Sequence, residues 1–291
     1  MAQIIDTLDG ISADYDALLV DLWGCVHDGV QALPEAVAAL RRYRAERGGA
    51  VVLVTNSPKP RAGVERQIDR MGVPRDAWDA MATSGDSARA AMFRGVAGQK
   101  VHFIGQEHDH GFFEPLKVLE DPLEISRVPL AEAEGIVCTG PFDPMADPEV
   151  LRPDLLEARA RGLKLLCANP DIVVDRGEVR EWCAGAVAAL YTEMGGESLY
   201  FGKPHPPIYD LAYRRLAAMG RAVPRDRMLA IGDGTRTDVA GATGEGIDSL
   251  YITGGLARAE TRTQRQPDAQ ALERWLAAEQ VSPDYAIGAL R

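Results

Sequence analysis

Several polar side chains stand in this sequence where they can meet on a phosphoryl group. Asp21 closes the apolar run Ala17-Leu18-Leu19-Val20, Thr55-Asn56 closes Ala50 to Val54, and Asp233 follows Met228 to Ile231. Asp238 comes five residues later, where Gly232-Asp233-Gly234-Thr235-Arg236-Thr237-Asp238 opens into a helix, and Lys203 sits in the turn Phe201-Gly202-Lys203-Pro204 just before another. Carboxylates of this kind hold a hard Mg2+, which binds oxygen and keeps several waters. Such a cation and the Lys203 ammonium would neutralise phosphoryl oxygens, while Thr55 and the backbone N–H groups after Asp21 fix their orientation. Asp21 can then act as a nucleophile, giving an aspartyl-phosphate that water cleaves. Taken singly each piece has a plainer reading: a strand-end Asp as a cap, Thr55 to Pro58 and Gly232 to Gly234 as ordinary turns, Lys203 as a solvated surface charge. It is their order and spacing that point to phosphoryl transfer.

The elements that must position these residues are short apolar runs alternating with helical patterns, which is the grammar of βαβ units and a parallel sheet. In open parallel sheets, ligands bind beyond the strand C-termini, where all of these signals fall. A helix with Pro34 in its first turn turns Val37, Leu40 and Tyr43 inward and stops at Gly48; another, near Arg61 to Met71, carries Val64, Ile68 and Met71 and stops at Gly72. Late in the chain, Ile208, Ala212, Leu216 and Met219 mark a helix closed by Gly220. Leu250-Tyr251-Ile252 is a further strand, and Ala271 to Ala278 an amphipathic helix that docks on the sheet. The middle differs, with strands of its own at Val101 to Ile104, Gly135 to Cys138 and Leu163 to Cys167, and helices near Pro148 to Ala160 and Cys183 to Met194. The expected organisation is therefore a Rossmann-like α/β core in two parts, 1–95 and 199–291, with a second α/β domain, 96–198, inserted. Asp109 to Arg127 has no clear assignment.

Composition removes other function classes. The 291 residues carry 32 Lys and Arg against 43 Asp and Glu, a formal net charge of −11, so a broad nucleic-acid surface is not expected. No stretch reaches the roughly 18 apolar residues of a membrane helix, and the N-terminus has acids where a signal peptide wants cations. Cys25, Cys138, Cys167 and Cys183 form no CxxC pair and read as reduced core thiols of a cytoplasmic protein. No GxGxxG follows the first strand and no Walker A motif occurs, which disfavours a nucleotide-binding enzyme.

The segments LLVDLWG around Asp21, VVLVTNS around Thr55, FGKPHPPIY around Lys203 and AIGDGTRTDVAGA around Asp233 resemble the haloacid dehalogenase (HAD) superfamily of hydrolases, in the class IIA branch similar to NagD. The inserted domain lies between the second and third motifs, where class IIA members carry an α/β cap of the C2 type, and Cys167-Ala168-Asn169-Pro170-Asp171 resembles a cap segment. The resemblance implies a Mg2+-dependent phosphatase acting on a small phosphorylated metabolite through an aspartyl-phosphate on Asp21. By position it makes Asp21 nucleophile and metal ligand, Asp233 a metal ligand, and Asp238 a ligand too, either directly or from behind the others. The backbone carbonyl of Trp23 is a further ligand. Thr55 and Lys203 hold the phosphate, with Asn56 beside them supporting the loop. It also leaves room for a homodimer, since class IIA caps often take part in dimer contacts.

One position departs from the pattern. Family phosphatases usually carry a second Asp two residues after the nucleophile, as the general acid for the leaving group; here that residue is Trp23. Its absence would cost about 10²–10⁴ in rate, least for acyl or aryl phosphates. His27 and Asp28 are candidate substitutes, the plainer reading being a turn at Asp28-Gly29 with a surface His. Trp23 also supports an alternative reading, a weak or inactive sensor or scaffold that binds a phosphorylated ligand. Dehalogenation without a metal is disfavoured by Asp233 and Asp238. Cys25 reads as a small core residue, His102, His108 and His110 as a polar loop, and Trp78, Trp182 and Trp275 as core or domain-contact aromatics. Asn169 and Asp171 are candidate substrate contacts from the cap.

Overall fold

The structure, a computed structural model, describes residues 2–114, 121–176 and 179–291. Residues 115–120, inside the unassigned stretch, lie outside it. Internal contacts divide the chain into two compact units: Met1–Thr55 with Glu65–Ala82 and Tyr209–Arg291, and Asn56–Val64 with Thr83–Ile208.

The first unit is built on a seven-stranded sheet. Its order is Gln3–Ile4, Tyr285–Ile287, Asp248–Ile252, Met228–Gly232, Ala17–Val20, Ala50–Thr55 and Ala80–Thr83. The central strands are buried along their whole length, as near-continuous Val, Leu, Ile and Ala runs require when both sheet faces are covered. Ala17–Val20 runs parallel to both neighbours, with Val20 level with Ile231 on one side and Leu53 on the other. Helices Pro34–Arg42, Arg61–Arg70, Pro206–Ala218 and Ala269–Glu279 fall where the apolar spacing puts them. Asp268 caps the last of these, its carboxylate accepting from Ala271 N at 2.8 Å. That helix buries Leu272 and Leu276 against Tyr251 and Ala286 of the sheet.

The second unit has a five-stranded parallel sheet of its own, ordered Glu197–Tyr200, Lys164–Cys167, Gly135–Cys138, Lys100–Ile104 and Ser126–Arg127. An antiparallel pair, Val173–Arg176 with Val179–Trp182, stands apart from it. The helix expected near Pro148 to Ala160 is split, a 3-10 turn over Pro148–Leu151 leading into the α-helix Arg152–Ala160, because Pro153 cannot donate to the preceding turn. This unit reaches beyond 96–198. The Ser84–Met92 helix buries Ala88 and Met92 against Val101, Phe112 and Val137, which draws it in with the inserted sheet.

Candidate active site

Asp21, Thr55 and Asp233 leave the sheet at the same end of three adjacent strands. Asp21 N donates to Ile231 O at 2.8 Å, so the first carboxylate starts from the shoulder of the strand that delivers the third residue. All three side chains are buried, as is Asp238. The strand order reverses direction of travel here, with the chain going from Ala17–Val20 to Ala50–Thr55 on one side and Met228–Gly232 closing the other, the place where open α/β sheets bind ligands.

The loop after Asp21 is wound tightly. Cys25, Val26 and His27 N–H groups all converge on Leu22 O, and Gly24 N donates to His27 O at 2.9 Å. Those four N–H groups are thus engaged within the loop. The same winding brings the Cys25 thiol to the carboxylates: one donor atom each from Asp21, Cys25 and Asp233 lie within 4.8 Å of one another, all three residues buried. Among the described residues this is the one such grouping of His, Cys, Asp and Glu.

Glycines make room for it. A Cβ on Gly24, which has φ +73°, or on Gly255 would overlap Asp233 Oδ2, and a Cβ on Gly232 would overlap the Asp238 carboxylate. Asp233 Oδ2 accepts from Leu256 N at 3.0 Å, so the loop after Asp248–Ile252 also holds it in place. Asp238 stands outside the three-donor group; its Oδ2 accepts from Gly234 N at 3.1 Å and from Thr237 Oγ1 at 3.2 Å, bracing the Gly232-Asp233-Gly234 turn. Two closely placed carboxylates in a glycine-lined recess fit a hard divalent cation, for which carboxylate oxygen is the preferred donor.

Trp23 is half-buried, its indole meeting the His27 ring edge-to-face at 5.2 Å between centroids. A Cβ on Gly29, which has φ +91°, would press into the indole. His27 is not a surface residue but 2 % exposed. Its Nδ1 accepts from Gly29 N at 3.0 Å and burial pushes it down to about 4, so the imidazole is neutral at pH 7. Asp28 accepts from Gln31 N and Val30 N, bonds that hold its carboxyl below the usual range. As candidate substitutes for the general acid, His27 and Asp28 are both committed to the turn: one is a neutral packing group, the other an exposed anion.

In the second unit, Asn56 and Lys203 form a single construction. Lys203 N donates to Asn56 Oδ1 at 2.7 Å, and Asn56 Nδ2 donates to Lys203 O at 3.1 Å and Asp171 Oδ1 at 2.8 Å. Asp171 N donates in turn to Asn169 Oδ1 at 3.0 Å. Asn56 is therefore a positioning residue, its amide spent on fixing the Lys203 backbone, and Asn169 and Asp171 belong to the same network. Lys203 is 3 % exposed, not a solvated surface charge. Sequence reasoning missed Ser84, wholly buried at the start of its helix, whose Oγ has no hydrogen-bond partner among the described residues. A Cβ on Gly202 would come to 2.8 Å from that Oγ and 2.5 Å from Asn56 Oδ1, so Gly202 is required for this packing. A lone Ser after a short Ala-Met-Ala-Thr strand carries no sequence signal of its own. His108 pairs with Asp109 at 3.4 Å, and Asp109 accepts from Thr139 Oγ1; among the described residues no metal grouping includes a histidine.

Known proteins resemble this chain along the same lines. A family profile described as haloacid dehalogenase-like hydrolase matches residues 18–117, and a second, HAD-hydrolase-like, matches 200–274. The chain resembles a crystal structure of a haloacid dehalogenase-like family hydrolase from Brucella suis, with 39% identity, TM-score 0.85 and coverage of 99% of this chain and 100% of that one. It is 26% identical over 270 residues to a D-glycerol 3-phosphate phosphatase of Mycobacterium tuberculosis, spanning 89% of this chain and 69% of that protein. A structure of glycerol phosphate phosphatase from the same organism, in complex with calcium, matches with 25% identity and TM-score 0.63, over 84% of this chain and 68% of that one.

Proposed function

The chain belongs to the haloacid dehalogenase-like hydrolases, in their class IIA branch, and from that premise we propose that it is a Mg2+-dependent phosphomonoesterase working through an aspartyl-phosphate on Asp21. The observation that carries the reading is the delivery of Asp21, Thr55 and Asp233 by three adjacent strands to one end of one sheet, with the two carboxylates grouped in a recess that glycines keep open. Its substrate is a small phosphorylated metabolite, and the glycerol phosphate phosphatases among its relatives support a polyol or sugar phosphate.

In this reading an Asp21 carboxylate oxygen attacks phosphorus, the bond to the leaving oxygen breaks, and water then cleaves the acyl phosphate to return Asp21 and inorganic phosphate. Thr55 offers a hydroxyl and Lys203 an ammonium to the phosphoryl oxygens, an assignment that rests on their places in the motifs. Asn56 holds the Lys203 backbone from the residue after Thr55. Asp21, Asp233, the Trp23 carbonyl and Asp238, directly or from behind, would hold Mg2+, which when bound neutralises charge on the phosphoryl group. The division of labour between Asp233 and Asp238 follows their bonds: Asp233 lies with Asp21, whereas Asp238 stiffens the turn that carries Asp233.

A second reading has one observation in its favour. With an indole two residues after Asp21 and with His27 and Asp28 tied into the turn, that loop presents no proton donor suited to an alkoxide leaving group. A module that binds a phosphorylated ligand and turns it over slowly would look the same. Phosphate release from an aryl phosphate and a panel of metabolites, with and without Mg2+ and beside Asp21→Asn, separates the two. Mg2+-dependent release lost in the variant supports the phosphatase; ligand binding with no release supports the module. We further propose that the protein works in the cytoplasm, as a homodimer that binds no nucleic acid. Among the described residues no helix is long and apolar enough to cross a membrane.

A further inference from the structure

We propose that Cys25 gives the carboxylate site a thiolate ligand for thiophilic divalent cations, so that Zn2+ or Cd2+ is captured there by Asp21, Asp233 and Cys25 together. This deepens the phosphatase reading, on which it rests, by assigning the same site a second class of metal.

The turn after Asp21 sets the geometry. Leu22 O gathers the N–H groups of Cys25, Val26 and His27, which winds the chain back so that the fourth residue after Asp21 faces the same recess. Cys25 is completely buried, and its sulfur lies within 4.8 Å of a carboxylate oxygen of Asp21 and of Asp233, which are within 4.8 Å of each other. Around a tetrahedral zinc, with Zn–S about 2.3 Å and Zn–O about 2.0 Å, donor atoms stand roughly 3.3–3.6 Å apart. Since no two of the three donors are more than 4.8 Å apart, reaching that spacing takes a closure of at most about 1.5 Å, shared among three side chains.

Donor chemistry then separates the metals. Mg2+ demands oxygen ligands and near-octahedral geometry, so it uses the carboxylates and leaves the sulfur alone. Zn2+ and Cd2+ accept thiolate, and for them the third donor adds affinity that Mg2+ cannot gain. Binding releases the thiol proton to solvent and leaves three anionic donors around the dication, one sulfur and two carboxylate oxygens. The other cysteines, Cys138, Cys167 and Cys183, are buried in the second unit and join no such group among the described residues.

The test uses the full-length protein, stripped of metal and titrated with Cd2+ while the ultraviolet thiolate-to-metal charge-transfer band is followed. A band that saturates near one equivalent per chain is expected, and Cys25→Ser should remove it and weaken Cd2+ binding by at least about tenfold while Mg2+ binding stays within about twofold. A band that persists in Cys25→Ser, or calorimetric Cd2+ binding without a band, overturns the proposal. Because Cys25 is fully buried and the variant could lose its fold, X-ray absorption on the unsubstituted protein with one equivalent of Zn2+ decides independently: one sulfur at about 2.3 Å supports the site, an all-oxygen shell refutes it. Failure here is distinct from failure of the phosphatase reading. Mg2+-dependent turnover without a sulfur ligand removes only the thiol; a sulfur ligand without turnover removes only the phosphatase.

Discussion

Replacing Asn56 tests how the Lys203 turn is held. Asn56 is 3 % exposed and its amide makes three bonds: it accepts from Lys203 N at 2.7 Å and donates to Lys203 O at 3.1 Å and Asp171 Oδ1 at 2.8 Å. Asn56→Ala deletes all of them and leaves a backbone donor and acceptor stranded in the interior. Each buried polar group so orphaned costs about 1–3 kcal/mol, so two of them set a loss of roughly 2–6 kcal/mol. The Asp171 carboxylate is half-exposed and can turn to water, which keeps its own contribution small, and water entering the vacated volume restores part of the rest. The expected destabilisation is about 3–4 kcal/mol, read by urea unfolding followed by circular dichroism. Asn56→Asp sharpens the test. It keeps an acceptor for Lys203 N but sets a second carboxylate against Asp171, so at pH 7 it should be at least as damaging as alanine. Sharing one proton raises the pair's affinity for it in the native state, so stability should return as the pH falls toward the carboxylate range, while Asn56→Ala shows no such recovery. In turnover, a loosened Lys203 should raise KM for a phosphate ester by tenfold or more. A loss below about 1 kcal/mol for Asn56→Ala, or Asn56→Asp more stable than it at pH 7, would refute the reasoning.

Trp23→Asp should raise turnover of alkyl phosphates by about 10²–10⁴ and leave aryl phosphates nearly unchanged, because only a poor leaving group needs the proton; equal gains on both in a parallel kinetic assay would count against this account of Trp23. Gly255→Ala, whose Cβ would overlap the Asp233 side chain, should raise the Mg2+ concentration for half-maximal rate by at least about tenfold and cost roughly 1–3 kcal/mol in stability as the recess overpacks. Asp79 is opposed by burial, yet its bonds from Arg44 and Val51 N hold the carboxyl below its ordinary value. Its stabilising effect is thus fully present above about pH 4 and is lost as the pH falls through the lowered folded value. Asp79→Asn should cost about 1–3 kcal/mol at pH 7, with the gap from the unsubstituted protein narrowing in unfolding curves below pH 4.

The fold class and the strand-end residues were legible in the sequence because their causes are local. A run such as Ala50 to Val54 declares a doubly covered strand by itself, and Asp21, Thr55 and Asp233 needed only to follow such runs to share one edge of a parallel sheet. Strands without that signature, Gln3–Ile4, Tyr285–Ile287, Ala80–Thr83 and Glu197–Tyr200, are short or polar and owe their identity to the neighbour they pair with. The split at Pro153 was visible as a residue but not as a break, since Pro is equally at home in a helix's first turn.

Side-chain commitments were decided only in three dimensions. For His27 and Asp28 the turn is the plainer reading by sequence, with the proton donor as the rival; the structure buries His27 with Gly29 N on its Nδ1 and ties Asp28 to the N–H groups of Val30 and Gln31. Asn56 meets Lys203 across 147 residues of chain, a pairing that no local spacing encodes. Cys25 is an ordinary core cysteine by sequence, and faces two carboxylates because three successive N–H groups gather on the Leu22 carbonyl. The sequence determines which residues end which strands, since strand identity is a property of short runs; where the side chains beyond those ends point depends on turns and on partners far along the chain, and tertiary structure alone decides it.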